Sequence, residues 1–280
     1  MVGEWMGLTN LRAYLTGPLC LESGERLLEE TALPGPQGRH LLGFLIAEHA
    51  RPVSRDELAD QLWPTPLPAA WENSLKSLIS KIRAALTHAG LPGIELIRNA
   101  FGAYQFRLPR DGWIDVDAAT LSVHLAEAAL AAGDLGTAAR HAYVTRLITA
   151  RPFLPGVEGE WAHAWQCRLE DHRIRAVECM ANVQLRRGQT TAAIRSAQLA
   201  LELDSLRETA WQILIRSHTA AGNPGSALRA YQRCRQVLHQ QLGTAPSPGT
   251  RAPWTDSRAN ARARLPRHAQ HAHRPRSRTE

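Results

Sequence analysis

The stretch AAWENSLKSLISKIRAALTHA, residues 69–89, decides how the first half of this 280-residue chain is read. Leu75, Ile79, Ile82 and Leu86 recur at i, i+4, i+7 and i+11, which gives a helix one narrow apolar stripe, with Leu78 beside it. At about 100° per residue, Ser77 and Ala84 point away from that stripe. Asn73 and Ser80 lie close by, Lys76, Lys81 and Arg83 stand on the flanks, and Ser74 is a further candidate contact. The outward face is therefore small, polar and basic. Taken alone, it reads equally as an ordinary solvated helix face, so its neighbours must decide.

Upstream, Ser54-Arg55-Asp56-Glu57 is a capping box that opens a short helix with Leu58 and Leu62 inward. Before it, Leu41, Leu42, Leu45 and Ile46 follow Pro34-Gly35-Pro36 at helical spacing until Pro52 forbids continuation. Residues 11–15, 19–21 and 26–28 are short apolar runs punctuated by Gly and Pro, which predicts a small antiparallel sheet. Downstream, Gly90 and Pro92 stop the long helix, and residues 94–98 and 104–108 read as two strands turning around 99–103. Three helices followed by a hairpin is the order of a winged helix-turn-helix. In that arrangement the third helix enters the major groove of DNA, and Arg98 and Asn99 on the wing sit where backbone contacts are made.

From about residue 114 the composition turns to Ala-, Leu- and Arg-rich helix. Gly133, Gly188 and Gly222 each have Ala five residues later and Arg seven later, and the last two glycines stand 34 residues apart, the tetratricopeptide period. Trp211 and Tyr231 flank Gly222 where that repeat carries its large packing residues. Residues 152–159 read as part of an insertion after the first unit. The expected fold is thus mainly α: an N-terminal winged helix with small β-sheets over 1–110, and an all-α tetratricopeptide-like repeat over 111–244. Residues 245–280, rich in Pro, Arg, Ser and His, are expected to be disordered.

The net charge of +7 does not by itself argue for nucleic acid, because eight arginines against two acids fall between residues 251 and 280. Residues 1–250 hold 25 basic against 24 acidic side chains, so any DNA-binding face must be local. The arginine tail could add nonspecific phosphate affinity or do nothing. No run is long and apolar enough for a membrane span, and Met1-Val2-Gly3-Glu4-Trp5 has no basic secretory start, so a cytoplasmic, nucleoid-associated protein is expected. Cys20, Cys167, Cys179 and Cys234 form no CxxC pair, and His268, His271 and His273 lack an acid or Cys partner, so no metal site is expected. A P-loop, GxSxG, HExxH and the dinucleotide glycine fingerprint are all missing. Neither a cofactor nor catalysis is expected.

Several landmarks together resemble the SARP family, an OmpR-type winged helix joined to a bacterial transcriptional activation domain. They are Val53-Ser54-Arg55-Asp56-Glu57-Leu58 with Leu62-Trp63-Pro64, Asn73-Ser74-Leu75, and Ser80-Lys81-Ile82-Arg83-Ala84-Ala85-Leu86. Asp115-Val116-Asp117, Leu206-Arg207-Glu208, and Ala227-Leu228-Arg229-Ala230-Tyr231 through Leu242-Gly243 continue the match in the second half. The resemblance covers about residues 11–250. It implies an activator whose long helix reads promoter direct repeats in double-stranded DNA, whose further copies occupy tandem sites, and whose repeat domain contacts RNA polymerase. A different class stays open: a helical-repeat interaction scaffold whose winged helix does not bind DNA.

Overall fold

The computed structural model describes residues 10–63 and 66–251. Its first sheet joins β1 (Arg12–Tyr14), β2 (Cys20–Ser23) and β3 (Arg26–Glu29) as antiparallel neighbours. Alternation sends Leu11, Ala13, Leu15 and Leu21 to the buried face. α1 (Gly35–Ala47) starts with Pro in its first turn, where a missing N–H costs nothing, and buries Leu41, Leu42, Phe44, Leu45 and Ile46. β4 (Val53–Ser54) leads into α2 (Arg55–Leu62). The Ser54 hydroxyl accepts from the Glu57 amide at 3.1 Å, as the capping box requires. The reciprocal arm is replaced, because the Glu57 carboxylate is taken by the Arg51 guanidinium in a two-pronged pair.

α3 (Trp71–His88) buries Leu75, Leu78, Ile79, Ile82 and Leu86, the predicted stripe. The first expected strand is shorter than its apolar run suggested: Gly93–Leu96 is a helical turn, α4, and the strand β5 begins only at Ile97 and ends at Ala100. The reason is a close approach. A Cβ on Gly93 would stand 2.3 Å from the Arg83 carbonyl oxygen, so the backbone turns tightly against α3 before it can extend. β5 pairs with β6 (Ala103–Phe106), which pairs with β4. The order of elements is that of a winged helix. β7 (Trp113–Ile114) then runs parallel beside β1 and completes the first sheet in the order β3-β2-β1-β7.

The long helices that follow among the described residues are α5 (Asp115–Ala131), α6 (Leu135–Ile148), α7 (Glu160–Arg186), α8 (Thr190–Leu203), α9 (Glu208–Ala220) and α10 (Pro224–Leu242). The three glycines aligned in the sequence sit at the same place in each helix pair, just after the first helix, with φ of 83° at Gly133, 74° at Gly188 and 76° at Gly222. In each case the next residue's N–H reaches back to a carbonyl five residues earlier at 2.9 Å (Asp134 to Ala129, Gln189 to Gln184, Asn223 to His218), a Schellman closure that needs the left-handed residue. Ala138, Ala193 and Ala227, each five residues past its glycine, are all fully buried. A larger side chain at that point would hold the two helices of the pair apart.

By packing, the chain divides into two compact units, and the division differs from a cut by element type at residue 111. One unit takes the described parts of Met1–Leu125 with Tyr143–Arg173, the other those of Ala126–Ala142 with Ile174–Glu280. In the first, the segment read as an insertion is a strap on the N-terminal sheet: Gly17 N–H donates to the Pro152 carbonyl at 2.7 Å and Leu154 N–H to the Leu15 carbonyl at 2.8 Å. Phe153 packs there between Trp161 and Trp165, with ring centroids 5.4 and 5.6 Å away. In the same unit the Asp115 carboxylate, wholly buried, accepts from Leu15 N, Thr16 N, Thr16 Oγ1 and Val116 N at 2.6–2.9 Å. Burial pushes this carboxyl above the ordinary aspartate range, outweighing the four donors.

The second unit is built on α8, α9 and α10 around Trp211, Ile213, Ile215 and Cys234, with the Trp211 indole N–H donating to the Ser205 carbonyl at 2.9 Å. Arg175 grips Glu127 through two bonds of 2.8 and 2.7 Å, and Arg207 grips Glu178. The segment expected to be disordered from 245 onward is ordered at its start. Ser247, through N–H and Oγ, and Thr250, through Oγ1, donate to the Glu208 carboxylate, and Thr250 is fully buried. These hydroxyls satisfy Glu208, which a composition count could not show. Residues 252–280, with the three tail histidines and the arginine run, lie outside the described residues.

Candidate nucleic-acid interface

α3 and the β5–β6 hairpin carry every site residue proposed from the sequence. Asn73, Ser74, Lys76, Ser77, Ser80 and Lys81 are all exposed on the helix, and Ala84 with them. They are exposed because the five buried residues turn the opposite face into the core. Among the described residues, the side chains of Asn73, Ser77, Ser80 and Lys81 make no hydrogen bond or ion pair, so their donors and acceptors stand open to solvent. Ser74 is partly used: its Oγ donates to the Ala70 carbonyl one turn back, at 3.2 Å. Lys76 lies 3.8 Å from Glu72, an exposed i,i+4 pair whose strength is small in water. Small side chains at 77, 80 and 84 leave the helix backbone approachable along one line, which is what close entry into a groove about 12 Å wide demands.

Arg83 is placed differently from the other candidates. Its guanidinium is half-buried, and Nε and Nη2 both donate to the Ile97 carbonyl, at 3.1 and 2.6 Å. The side chain thus fastens the middle of α3 to the first residue of β5. Helical spacing puts it on a flank but cannot reveal that a downstream carbonyl claims it.

Arg98 and Asn99 are exposed on β5, and neither side chain has a polar partner among the described residues. The loop between the strands is shorter than the expected 99–103. Ala100 pairs with Ala103, which leaves a two-residue turn of Phe101 and Gly102 with φ of 51° and 81°. Positive φ at both central positions is the type I′ geometry that matches the strand twist. The Phe101 ring is wholly in solvent. No sequence argument singled it out. The available signal was an aromatic next to glycine at the centre of a hairpin loop.

Among the described residues no group of three His, Cys, Asp or Glu side chains could hold a metal ion, and no helix is long and apolar enough to cross a membrane.

A family model described as bacterial transcriptional activator domain matches residues 114–253, half of the chain. The regulatory protein AfsR of Streptomyces coelicolor is 28% identical over 240 residues, which cover 85% of this chain and 23% of AfsR. The transcriptional regulatory protein EmbR of Mycobacterium tuberculosis is 27% identical over 245 residues, covering 85% of this chain and 61% of EmbR. The regulatory protein DnrI of Streptomyces peucetius is 25% identical over 224 residues, covering 75% of this chain and 79% of DnrI. The chain therefore spans about a quarter of AfsR and about three fifths of EmbR. The structure of Mycobacterium tuberculosis EmbR in complex with a low-affinity phosphopeptide has the same fold, with a TM-score of 0.81 at 24% identity over 90% of this chain and 65% of that one.

Proposed function

This chain belongs to the SARP family, in which a winged helix precedes a bacterial transcriptional activator domain, and on that premise we propose that it regulates transcription by binding promoter DNA through α3. The observation that carries the reading is the outer face of that helix. Asn73, Ser77 and Ser80 offer donors and acceptors that have no partner among the described residues, on a line of small residues, and Lys76 and Lys81 flank it with positive charge. Such a face suits a major groove, with the polar residues directed to base edges and the lysines to phosphates. Arg98 and Asn99 would contact the backbone beside it. Arg83, with its guanidinium engaged at Ile97, has a positioning role: it keeps the helix and the hairpin in one frame.

The rest of the proposal follows the family. Copies would occupy tandem direct repeats in the promoter, and the helical-repeat domain would make the contact with RNA polymerase that turns binding into activation. A mobility-shift series with a duplex taken from upstream of the protein's own gene tests the DNA step. Wild type should retard this duplex, and Lys76→Ala with Lys81→Ala should bind it at least tenfold more weakly. Equal retardation by the two proteins would remove α3 from the interface.

A further inference from the structure

We propose that Phe101, at the tip of the β5–β6 hairpin, is an apolar wedge that presses its ring into the groove next to the one α3 enters and partly unstacks a base step. The inference rests on the reading of α3 as a DNA-contacting face, and adds a contact that reading does not contain. Two independent observations carry it. The ring is entirely exposed, at 108% of its reference area, so the fold gains nothing from burying it. And the residue sits at φ 51°, in the left-handed region where Gly and Asn are at home and a bulky aromatic is an outlier. The hairpin thus places a poorly suited residue in its tightest turn and holds its ring in water. Backbone strain of this kind persists at functional sites, and among the described residues no packing of the ring compensates for it.

The surroundings indicate the occupant. Arg98 and Asn99 stand on the same hairpin with polar heads that have no partner among the described residues, an apolar tip beside a cationic strand. The register from Ile97–Phe106 to Ala100–Ala103 leaves the two-residue turn little freedom, and the Arg83 bonds to the Ile97 carbonyl tie its base to α3. A ring presented this way next to positive charge fits nucleic acid, whose bases expose π-faces once a step opens and whose phosphates attract the guanidinium.

The test uses the full chain, a fluorescein-labelled duplex from upstream of its own gene, and three variants: Phe101→Gly, Phe101→Trp, and Lys76→Ala with Lys81→Ala. Phe101→Gly should weaken binding about tenfold, the range seen when a base-stacking aromatic is lost. It should also reduce the bend measured by circular-permutation gels, while leaving the thermal midpoint unchanged or higher because the turn relaxes. Phe101→Trp should retain both affinity and bend. If Phe101→Gly binds and bends the duplex like wild type while the lysine pair binds weakly, α3 stays on DNA and the wedge is overturned. If Phe101→Gly loses only the occupancy of a second site, with single-site affinity intact, the ring contacts another protein copy and the wedge is again overturned. If the lysine pair also binds like wild type, the reading of α3 fails and the wedge falls with it.

Discussion

Replacing Asp115 by alanine should weaken the first unit more than any surface change near it. The carboxylate is wholly buried and accepts four hydrogen bonds: Oδ1 from Leu15 N at 2.9 Å and Val116 N at 2.8 Å, and Oδ2 from Thr16 N at 2.8 Å and Thr16 Oγ1 at 2.6 Å. Leu15 and Thr16 are themselves completely buried, so their amides and the hydroxyl have no water to turn to. Each orphaned buried donor costs about 1–3 kcal/mol. A water entering the space left by the carboxylate can satisfy one of them, and removing a buried charge relieves its desolvation, so the three remaining donors count at the lower end of that range and the net loss is about 3–5 kcal/mol. Against a total of about 5–15 kcal/mol for a folded domain, this is a large fraction. With a urea slope of about 2 kcal/mol/M, the unfolding midpoint should fall by about 2 M, read by tryptophan fluorescence. Asp115→Asn keeps one acceptor oxygen but turns an NH2 group toward bonded donors, so it should fall between wild type and alanine. A loss below about 1 kcal/mol for Asp115→Ala would refute the reasoning that the buried donors of Leu15, Thr16 and Val116 depend on this carboxylate.

Two further consequences concern the frame around the interface. Gly93→Ala would put a Cβ 2.3 Å from the Arg83 carbonyl oxygen, backbone that cannot swing aside, so α4 should shift away from α3 at a cost of about 1–3 kcal/mol in denaturant unfolding; a neutral result would mean that the close approach is not needed. The Arg51 hydrogen bonds hold the Glu57 carboxyl below its ordinary range, so the pair's contribution is complete above the unfolded glutamate value and is lost as pH falls through the lower folded value. Because Glu57 is about one-third exposed, that contribution is about 0.5–1 kcal/mol. Arg51→Ala should therefore cost this much at pH 7 and almost nothing near pH 2; a cost independent of pH would locate the effect in packing instead.

The pattern of single residues explains what was legible in the sequence. The α3 stripe, the Ser54 cap, the Pro-started α1 and the three glycine turns are local devices, set by periodicity and by backbone preferences within a few residues, and each stands where the sequence put it. What the sequence did not show was decided at long range. Residues 94–96 are apolar enough for either strand or helix, and the approach of Gly93 to Arg83 settles the choice. Residues 152–159 are a strap because their partners lie at residues 15–17, more than 130 positions earlier in the chain. β7 holds only two residues and pairs with β1 at the other end of the winged helix. At the interface, helical geometry identified the outward face, but the engagement of Arg83 with a carbonyl and the solvent-exposed ring of Phe101 depend on the turn between α3 and β6.

The central claim is that the outer face of α3 touches DNA phosphates, and the salt dependence of binding tests it most directly. Each phosphate contact releases about 0.9 counterion, so removing both lysines should flatten the slope of log K against log salt by nearly two, slightly less where Glu72 already screens Lys76. Anisotropy titrations of the wild type and of Lys76→Ala with Lys81→Ala, from about 50 to 200 mM salt on one duplex, supply both slopes. A shallower slope together with weaker binding is the predicted result. Parallel lines of equal affinity would mean that this face does not meet DNA.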